Sequence, residues 1–132
     1  MICYIDVKTG SRTDMVDITA DVRKIVAESG VTEGTCVLFT LHTTAGLTVN
    51  EGADPAVRHD MVGFLDRLVP QDQRFRHSEG NSDAHIKSTL TGVSLTLLID
   101  RGEPLLGTWQ SVYFCEFDGP RRRKVAVKIC KG

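Results

Sequence analysis

Three of the four histidines in this chain of 132 residues occupy positions at which a protein can build a site. His42 ends an apolar run, His77 lies in a polar stretch, and His85 begins a short segment of helical character. Strand ends and loops often carry functional side chains, because a rigid scaffold holds them in register. Three imidazoles and a water would form an open zinc-type site, so the pattern predicts a divalent metal: zinc, another transition metal or Mg²⁺. Histidines that only make hydrogen bonds are the alternative interpretation.

Other side chains near these histidines in the sequence could act on a proton or an anion. Glu51 follows a predicted strand and could be a general base or the partner of an imidazole, with His42 and His85 as the other catalytic candidates. A solvated turn acid is the alternative for Glu51. Thr43 and Thr44 offer hydroxyls and exposed backbone N–H groups that could hold an anion. The chain has neither glycine-rich pattern of nucleotide-binding loops, which disfavours a nucleotide site.

A basic run and the single tryptophan each have two interpretations. The run Arg121-Arg122-Arg123-Lys124 follows a predicted hairpin turn. Such a run is usually solvated or protects a sheet edge. If one of its faces meets the site, however, Arg121 or Arg122 could bind phosphate through its guanidinium group. Trp109 is interpreted as a core anchor, with a wall for a flat heterocycle as the functional alternative.

Composition and charge disfavour several classes of protein. The 16 basic and 17 acidic residues give a net charge of −1, which argues against a dedicated nucleic-acid binder. The charge is uneven, since residues 121–132 carry +6 and residues 1–120 carry −7. No apolar run approaches the length of a membrane span, and the first residues lack the layout of a signal peptide. With four scattered cysteines expected as thiols, we predict a cytoplasmic protein without nucleic-acid or membrane partners.

Hydrophobic periodicity predicts the elements that must position these side chains. Residues 35–41 are apolar almost throughout, which predicts a central strand covered on both faces. A helix with Thr19 as its cap and Gly30 as its stop precedes this strand, and an amphipathic helix begins at an Asp54 cap and runs to Leu68. The other predicted elements are strands at residues 2–7, 47–49, 94–99, 106–117 and 124–129, a loop at 71–83 and a short helix at 84–90.

This order of elements predicts an α+β fold. We expect residues 1–132 to form a single compact domain with a mixed, largely antiparallel β-sheet flanked by two main helices. Along residues 106–117, successive side chains point to opposite faces of the strand, and apolar side chains occur on both faces. We therefore expect this strand to be covered twice, and a neighbouring subunit is one candidate for the second cover.

Seven short motifs stand in order between about residue 16 and residue 132. They are His42-Thr43-Thr44-Ala45-Gly46, Asn50-Glu51 with Ala53-Asp54, Arg58-His59-Asp60, His77 with Glu79-Gly80-Asn81, Ala84-His85-Ile86-Lys87, Gly107-Thr108-Trp109-Gln110 and Glu116-Phe117-Asp118-Gly119-Pro120-Arg121. Together they resemble the YjbQ-type family, also called secondary thiamine-phosphate synthases. The chain departs from the family pattern at Leu41, where many members have proline, and this position is a strand end rather than a candidate side chain.

The resemblance implies a compact α+β fold, a homotrimer, and a weak or secondary thiamine-phosphate synthase activity that couples a pyrimidine diphosphate with a thiazole phosphate. It also implies a metal near the matching histidines, in a pocket at or near a subunit interface. We expect a small phosphorylated metabolite to contact Thr43, Thr44, Asn50, Asn81, Trp109, Arg121 and Arg122. The alternatives are a module that binds such a metabolite or a metal without converting it, and a metal-dependent phosphoester hydrolase.

Overall fold

The computed structural model of the protein describes residues 1–72 and 74–132. Gln73, within the loop expected at 71–83, lies outside the described residues. The helices are α1 (Thr19–Ser29), α2 (Pro55–Leu68) and α3 (Ser82–Thr91), and none of these is long and apolar enough to span a membrane. The strands are β1 (Ile2–Lys8), β2 (Asp14–Asp17), β3 (Glu33–Thr40), β4 (Ala45–Glu51), β5 (Ser94–Asp100), β6 (Glu103–Pro104), β7 (Gln110–Glu116) and β8 (Arg122–Lys131).

The strands form two sheets that pack face to face. Five strands follow the order β1-β8-β3-β5-β6, and three follow the order β2-β7-β4. The α+β class and the single compact domain are confirmed. The one mixed sheet expected from the sequence is instead two sheets, and every pairing within the described ranges is antiparallel. The sequence analysis missed β2 because its four residues are too few for a period-2 pattern to be recognised.

The main core lies between the two sheets, and α1 closes it. Cys36 and Leu38 of β3 are fully buried there, opposite Phe114 of β7, while Val22 and Val26 enter from α1. Burial raises the pKa of the Cys36 thiol to about 11, so this cysteine behaves as a small hydrophobe. Within one chain the other face of β3 is only partly covered, since Val37 is half-buried and Phe39 is 45% exposed. The expectation that β3 is covered on both faces is therefore wrong.

The smaller sheet is buried on both faces by its own chain. Val112 of β7 points into the core between the sheets, whereas Tyr113 and Cys115 point to the opposite side. On that side a second apolar cluster includes Ala84 of α3 and packs against Met61, Val62 and Leu65 of α2. The double cover expected for this strand is present, but helices of the same chain supply it and not a neighbouring subunit.

Polar side chains explain where two helices begin. Asp54 caps α2 as expected, with Oδ1 accepting the N–H of Ala56 at 2.9 Å. Thr19, expected as the cap of α1, is instead the first helical residue. Its hydroxyl donates to Asp17 Oδ1 at 2.6 Å and accepts the N–H of Val112 at 2.8 Å. Thr19 therefore ties α1 to the smaller sheet.

The core assignment predicts the effect of two matched leucine substitutions. Leu38→Ala should lower the free energy of unfolding by about 2–5 kcal/mol, because it leaves a cavity between the sheets. Leu90→Ala, at an exposed position of α3, should change it by less than about 0.5 kcal/mol. Urea unfolding followed by circular dichroism measures both values. Equal losses for the two variants would contradict this location of the core.

Candidate functional site

A small polar cavity lies at one end of the two sheets, and we call it the histidine cavity. Its volume is about 270 Å³. Because β8 runs antiparallel to β3, the first residues of β8 lie beside the last residues of β3, and the start of β4 and the approach to α3 reach the same place. The cavity is lined by Leu41, His42, Thr43, Thr44, Glu79, Asn81, His85, Arg121 and Arg123.

His42 is held in its neutral form. Its Nε2 accepts the backbone N–H of Lys124 at 2.9 Å, so the ring proton is carried by Nδ1. Burial and then the positive charge of Arg123 lower the pKa of His42 below its ordinary value of 6.5. An imidazolium could not accept this hydrogen bond, because both of its nitrogens are donors. The neutral ring therefore presents a donor, Nδ1–H, on its other side.

The other two candidate histidines lie beside each other. The ring centroids of His77 and His85 are 5.4 Å apart and the rings meet edge to face, at 77°. Nε2 of His77 lies 3.8 Å from Oε2 of Glu79. The first turns of α3 carry His85 to the cavity wall, and the preceding loop places His77 next to it. The pair adds ring nitrogens at one side of the histidine cavity.

The three histidines do not form a metal-ligand set within one chain. Across residues 1–72 and 74–132, no three His, Cys, Asp or Glu side chains come close enough to share an ion. His42 is unsuitable for a further reason: a metal on Nδ1 would leave the ring proton on Nε2, facing the Lys124 N–H. The arrangement of these residues therefore does not fit the metal that the family resemblance implies.

A buried ion pair forms the floor of the histidine cavity. Arg123 donates to Glu116 through Nε at 2.9 Å and also through Nη2, and both side chains are almost fully buried. The Thr9 hydroxyl donates to Glu116 at 2.8 Å, and Arg123 Nη2 donates to the Thr44 hydroxyl at 2.8 Å. Burial alone would raise the pKa of Glu116, but hydrogen bonds from Arg123 and Thr9 outweigh it and hold this pKa below its ordinary value. The pair stays ionised and fixes Thr44 in the cavity wall.

Asn81 belongs to a second hydrogen-bonded group beside the cavity. Its Nδ2 donates to Asp118 Oδ2 at 2.7 Å, and Arg121 Nη2 donates to the same oxygen at 3.0 Å. Because the amide N–H faces Asp118, Oδ1 of Asn81 is fixed as an acceptor. This atom is buried and has no hydrogen-bond partner among the described residues. In native proteins such an atom usually indicates a bound water, an ion or a functional site.

The far side of α3 is anchored by charges that the sequence analysis missed. Asp83 and Lys87 are each 1% exposed. Arg12 donates to both carboxylate oxygens of Asp83, at 3.0 and 3.1 Å, and Lys87 Nζ donates to Asp66 at 2.7 Å. The i, i+4 spacing of Asp83 and Lys87 is the one available sequence signal, but such pairs are normally solvated. These contacts orient α3 so that His85 reaches the cavity.

Most of the expected binding residues meet at the histidine cavity. Thr43, Thr44, Asn81 and Arg121 line it together with His42 and His85, and His77 adjoins His85. Arg122 lies on the opposite side of the strand, in a separate groove. Arg123, which was not proposed from the sequence, lines the cavity instead. Strand alternation predicts this outcome, since residues 121 and 123 share a face.

Three expected site residues lie at the other end of the smaller sheet. Asn50 and Glu51 end β4, whose first residues adjoin the cavity. Oε2 of Glu51 accepts the N–H of Ala53 at 2.8 Å, as the turn-acid alternative requires. Trp109 is 65% exposed, so its interpretation as a core anchor is wrong. Within one chain, none of these three residues reaches the histidine cavity.

The chemistry of the cavity suits a small oxyanion. Arg121 is exposed and keeps guanidinium N–H groups free of Asp118. His42 adds Nδ1–H, Thr43 adds a hydroxyl, and the buried cation of Arg123 lies beneath them. Guanidinium groups bind the oxygens of phosphate with short, charge-assisted hydrogen bonds. The arrangement can hold a phosphate group, and the neutral imidazole of His42 can exchange a proton with it.

The buried pair predicts a large loss of stability in Glu116→Gln. The neutral amide would leave the Arg123 charge buried without a counter-ion, so the free energy of unfolding at pH 7 should fall by about 3–5 kcal/mol. Because the pKa of Glu116 is lowered in the folded state, its contribution is present above pH 4.5, the ordinary Glu value, and is lost as the pH falls through the folded value. Urea titrations between pH 7 and pH 3 measure both effects.

The matched control for this prediction is Glu103→Gln, at an exposed position of β6. This variant should keep the stability of the native chain at pH 7, because its carboxylate is in solvent. Glu116→Gln should also lose less stability than the native chain on acidification, since the titrating group is gone. A Glu116→Gln variant as stable as the control would disprove the importance of the buried pair.

The environment of His42 predicts its titration. An NMR titration should give a pKa below 6.5, because burial and Arg123 disfavour the imidazolium. Arg121→Gln removes a further cation that lowers this pKa and should therefore raise it, whereas Arg122→Gln is the matched control and should leave it unchanged. A pKa above 6.5 in the native chain would show that the hydrogen bond from Lys124 does not hold the ring neutral.

Comparison with other proteins identifies relatives along nearly the full chain. A family model described as UPF0047 protein YjbQ-like matches residues 3–132. A UPF0047 protein of Methanocaldococcus jannaschii is 53% identical over 129 residues, which cover 98% of this chain and 94% of that protein. The UPF0047 protein YugU of Bacillus subtilis is 44% identical over 130 residues, with 98% of each chain covered.

Solved structures agree with this assignment. The crystal structure of an uncharacterized conserved YjbQ/UPF0047 family protein from Clostridium acetobutylicum superposes with a TM-score of 0.95 at 50% identity, covering 97% of this chain and 99% of the other. A hypothetical protein of Aeropyrum pernix K1 gives a TM-score of 0.94 at 33% identity, covering 100% and 99%. Sequence and fold agree over the same residues, and the chain belongs to the YjbQ/UPF0047 family.

Proposed function

We propose that the protein binds the phosphate or diphosphate group of a small metabolite in the histidine cavity. The observation that carries this proposal is the convergence of Arg121, Arg123, Thr43 and His42 on one small space. All four can donate hydrogen bonds, and an anion with several oxygens accepts them. The buried Glu116 balances Arg123, which leaves the charge of Arg121 available for a ligand.

The reaction that we propose for this site is the one that the family resemblance implies. In that coupling, a C–O bond of the pyrimidine diphosphate breaks, diphosphate leaves with the electron pair, and the ring nitrogen of the thiazole phosphate forms a new C–N bond. Negative charge develops on the leaving diphosphate, so preorganised donors such as Arg121 and Thr43 would accelerate its departure. His85, at the cavity wall, is placed to exchange a proton with the departing group.

A binding module without turnover is the second candidate, and one observation favours it. Glu51, the expected general base, accepts the N–H of Ala53 in its own turn. It also lies at the end of β4 away from the cavity. The histidine cavity of a single chain therefore has donors for an anion but lacks the base expected from the sequence, and Glu79 is the carboxylate in its described lining. Binding without turnover would require only these hydrogen-bond donors. Product formation from the two substrates, followed by chromatography, distinguishes catalysis from binding.

The metal, the homotrimer and the cytoplasmic setting stay predictions. Among the described residues, the histidines of one chain do not form a ligand set, so the proposed reaction depends on the hydrogen-bond donors of the cavity. Elemental analysis of protein purified without chelator, with His42→Ala, His77→Ala and His85→Ala compared, tests the metal. Sedimentation equilibrium tests the trimer. The free cysteines of the structure are compatible with a reducing compartment.

Two neighbouring arginines provide the test of the anion site. Arg121→Gln should raise the dissociation constant for inorganic pyrophosphate about 10- to 100-fold, since it removes charge-assisted hydrogen bonds worth about 1.5–3 kcal/mol. Arg122→Gln removes the same charge from the adjacent residue outside the cavity and should change the constant less than about 2-fold. Isothermal titration calorimetry at fixed ionic strength measures both.

Equal weakening by the two variants would indicate diffuse electrostatic attraction and would refute a specific site. If pyrophosphate binds as expected and the native protein forms thiamine phosphate, the synthase proposal stands, and His85→Ala should abolish turnover with little change in melting temperature. If pyrophosphate binds but no product forms with any divalent metal added, the binding module is the function.

A further inference from the structure

A row of charged side chains joins the buried anchor of α3 to the histidine cavity. Its members alternate in sign from neighbour to neighbour, and we call them the charge row: Asp66, Lys87, Asp83, Arg12, Asp118 and Arg121. Lys87 and Asp83 are each 1% exposed, whereas Arg121 is exposed and lines the cavity. Acids and bases balance along the row, so a ligand that draws Arg121 away leaves an unbalanced carboxylate behind it.

That carboxylate is Asp118, which already occupies part of the Arg121 guanidinium. Nε of Arg121 donates to the backbone carbonyl of Asp118 at 2.8 Å, and Nη2 donates to Oδ2 at 3.0 Å. The side chain of Asp118 is only 17% exposed, so solvent screens its charge poorly. Asp118 therefore opposes a phosphate group in the cavity in two ways: it attracts Arg121, and it repels the phosphate.

Arg12 is placed to neutralise Asp118, but it does not yet bond to it. Its two terminal nitrogens are fixed on Asp83, at 3.0 and 3.1 Å. Its Nε lies 3.8 Å from Oδ1 of Asp118, beyond hydrogen-bond distance, and makes no hydrogen bond among the described residues. A movement of about 1 Å by either side chain would turn this contact into a charge-assisted hydrogen bond.

Arg12 lies outside the histidine cavity. It lines a separate polar groove together with Asp66, Asp83 and Lys87. Asp118 is the member of the charge row that lies next to both Arg12 and Arg121. An effect of Arg12 on an anion in the cavity would therefore pass through Asp118.

We propose that Asp118 and Arg12 form a release switch for the anion in the histidine cavity. In the empty cavity Asp118 pairs with Arg121. When a phosphate group takes Arg121, Asp118 turns to Arg12, whose Nε–H closes to hydrogen-bond distance. The return of Asp118 to Arg121 favours departure of the anion, and product release limits turnover in many enzymes. Arg12 is a positioning residue in this switch, and the inference rests on the proposed anion site.

The exchange of partners can be observed in the native protein, with inorganic pyrophosphate as the probe. The ¹H–¹⁵N signal of Arg12 Nε, assigned by its loss in Arg12→Lys, should move downfield as pyrophosphate saturates the cavity. Its exchange with water should also slow, because the proton enters a hydrogen bond with Asp118. A signal that does not change while calorimetry detects pyrophosphate binding overturns the exchange.

Asp118→Asn tests the competition for Arg121. The amide keeps an acceptor for Asn81 and Arg121 but removes the charge, so the dissociation constant for pyrophosphate should fall about 2- to 10-fold, mainly through slower dissociation. Asp21→Asn, at an exposed position of α1, removes the same charge elsewhere and should change the constant less than about 2-fold. If Asp118 only supported the cavity wall, its substitution would weaken binding, so unchanged or weaker binding overturns the switch.

The test of Arg12 must not leave Asp83 buried without its hydrogen-bonded partner. Arg12→Gln is therefore combined with Asp83→Asn and compared with Asp83→Asn alone, so that the two proteins differ only at Arg12. Loss of Arg12 should raise the dissociation constant about 2- to 10-fold when Asp118 is present, and less than about 2-fold when Asp118→Asn is added. Equal effects in the two backgrounds would show that Arg12 does not act through Asp118, which overturns the switch.

Failure of the switch is distinguishable from failure of the anion site. If pyrophosphate does not bind to the native protein, the anion site falls and the switch falls with it. If pyrophosphate binds, Arg121→Gln weakens it and Asp118→Asn leaves it unchanged, the anion site stands and the switch is refuted. Melting temperatures show whether each variant is folded, and the signal of Arg12 in the native protein decides the question even where a variant is not.

Discussion

A carboxylate and a guanidinium that are both removed from water must remain paired, and the pairing of Glu116 with Arg123 organises much of this molecule. The two residues lie on strands of different sheets, so their contact fixes how the sheets meet at one end. Thr9 after β1 and Thr44 before β4 add hydrogen bonds to the same pair. A cavity with defined donors exists there because the charges beneath it cannot move apart.

Local patterns predict the elements of this fold better than their arrangement. The Asp54 cap, the apolar face of α2 and the buried Cys36 follow from side-chain chemistry that acts within a few residues. The division into two sheets does not, because a four-residue strand such as β2 has too little alternation to be recognised. The cover on β7 also depends on tertiary packing, since α2 could lie on either sheet without any change in its own periodicity.

The residues of the site also divide into those that local patterns identify and those that depend on tertiary packing. Residue types identify His42, Thr43, Thr44, His85 and Arg121 as candidates, and the structure brings them together. The buried charges Arg12, Asp83 and Lys87 escape a sequence analysis because charged side chains are presumed solvated until a partner from a distant segment is known. Arg12 and Asp83 are 71 residues apart. Glu51 lies outside the cavity because β4 extends from Ala45 to Glu51. The short apolar run in the sequence does not reveal this length.

The strand order β1-β8-β3 has a consequence for biosynthesis. β1 is made first, yet its hydrogen-bonding partner within the sheet is β8, more than one hundred residues later. Until β8 has left the ribosome, β1 is an unpaired edge and the floor of the cavity has no arginine. Most contacts in this sheet are far apart in sequence, a topology that folds slowly. Nascent chains will therefore expose apolar strand faces for much of their synthesis, and chaperones that hold such surfaces should engage this protein before its site exists.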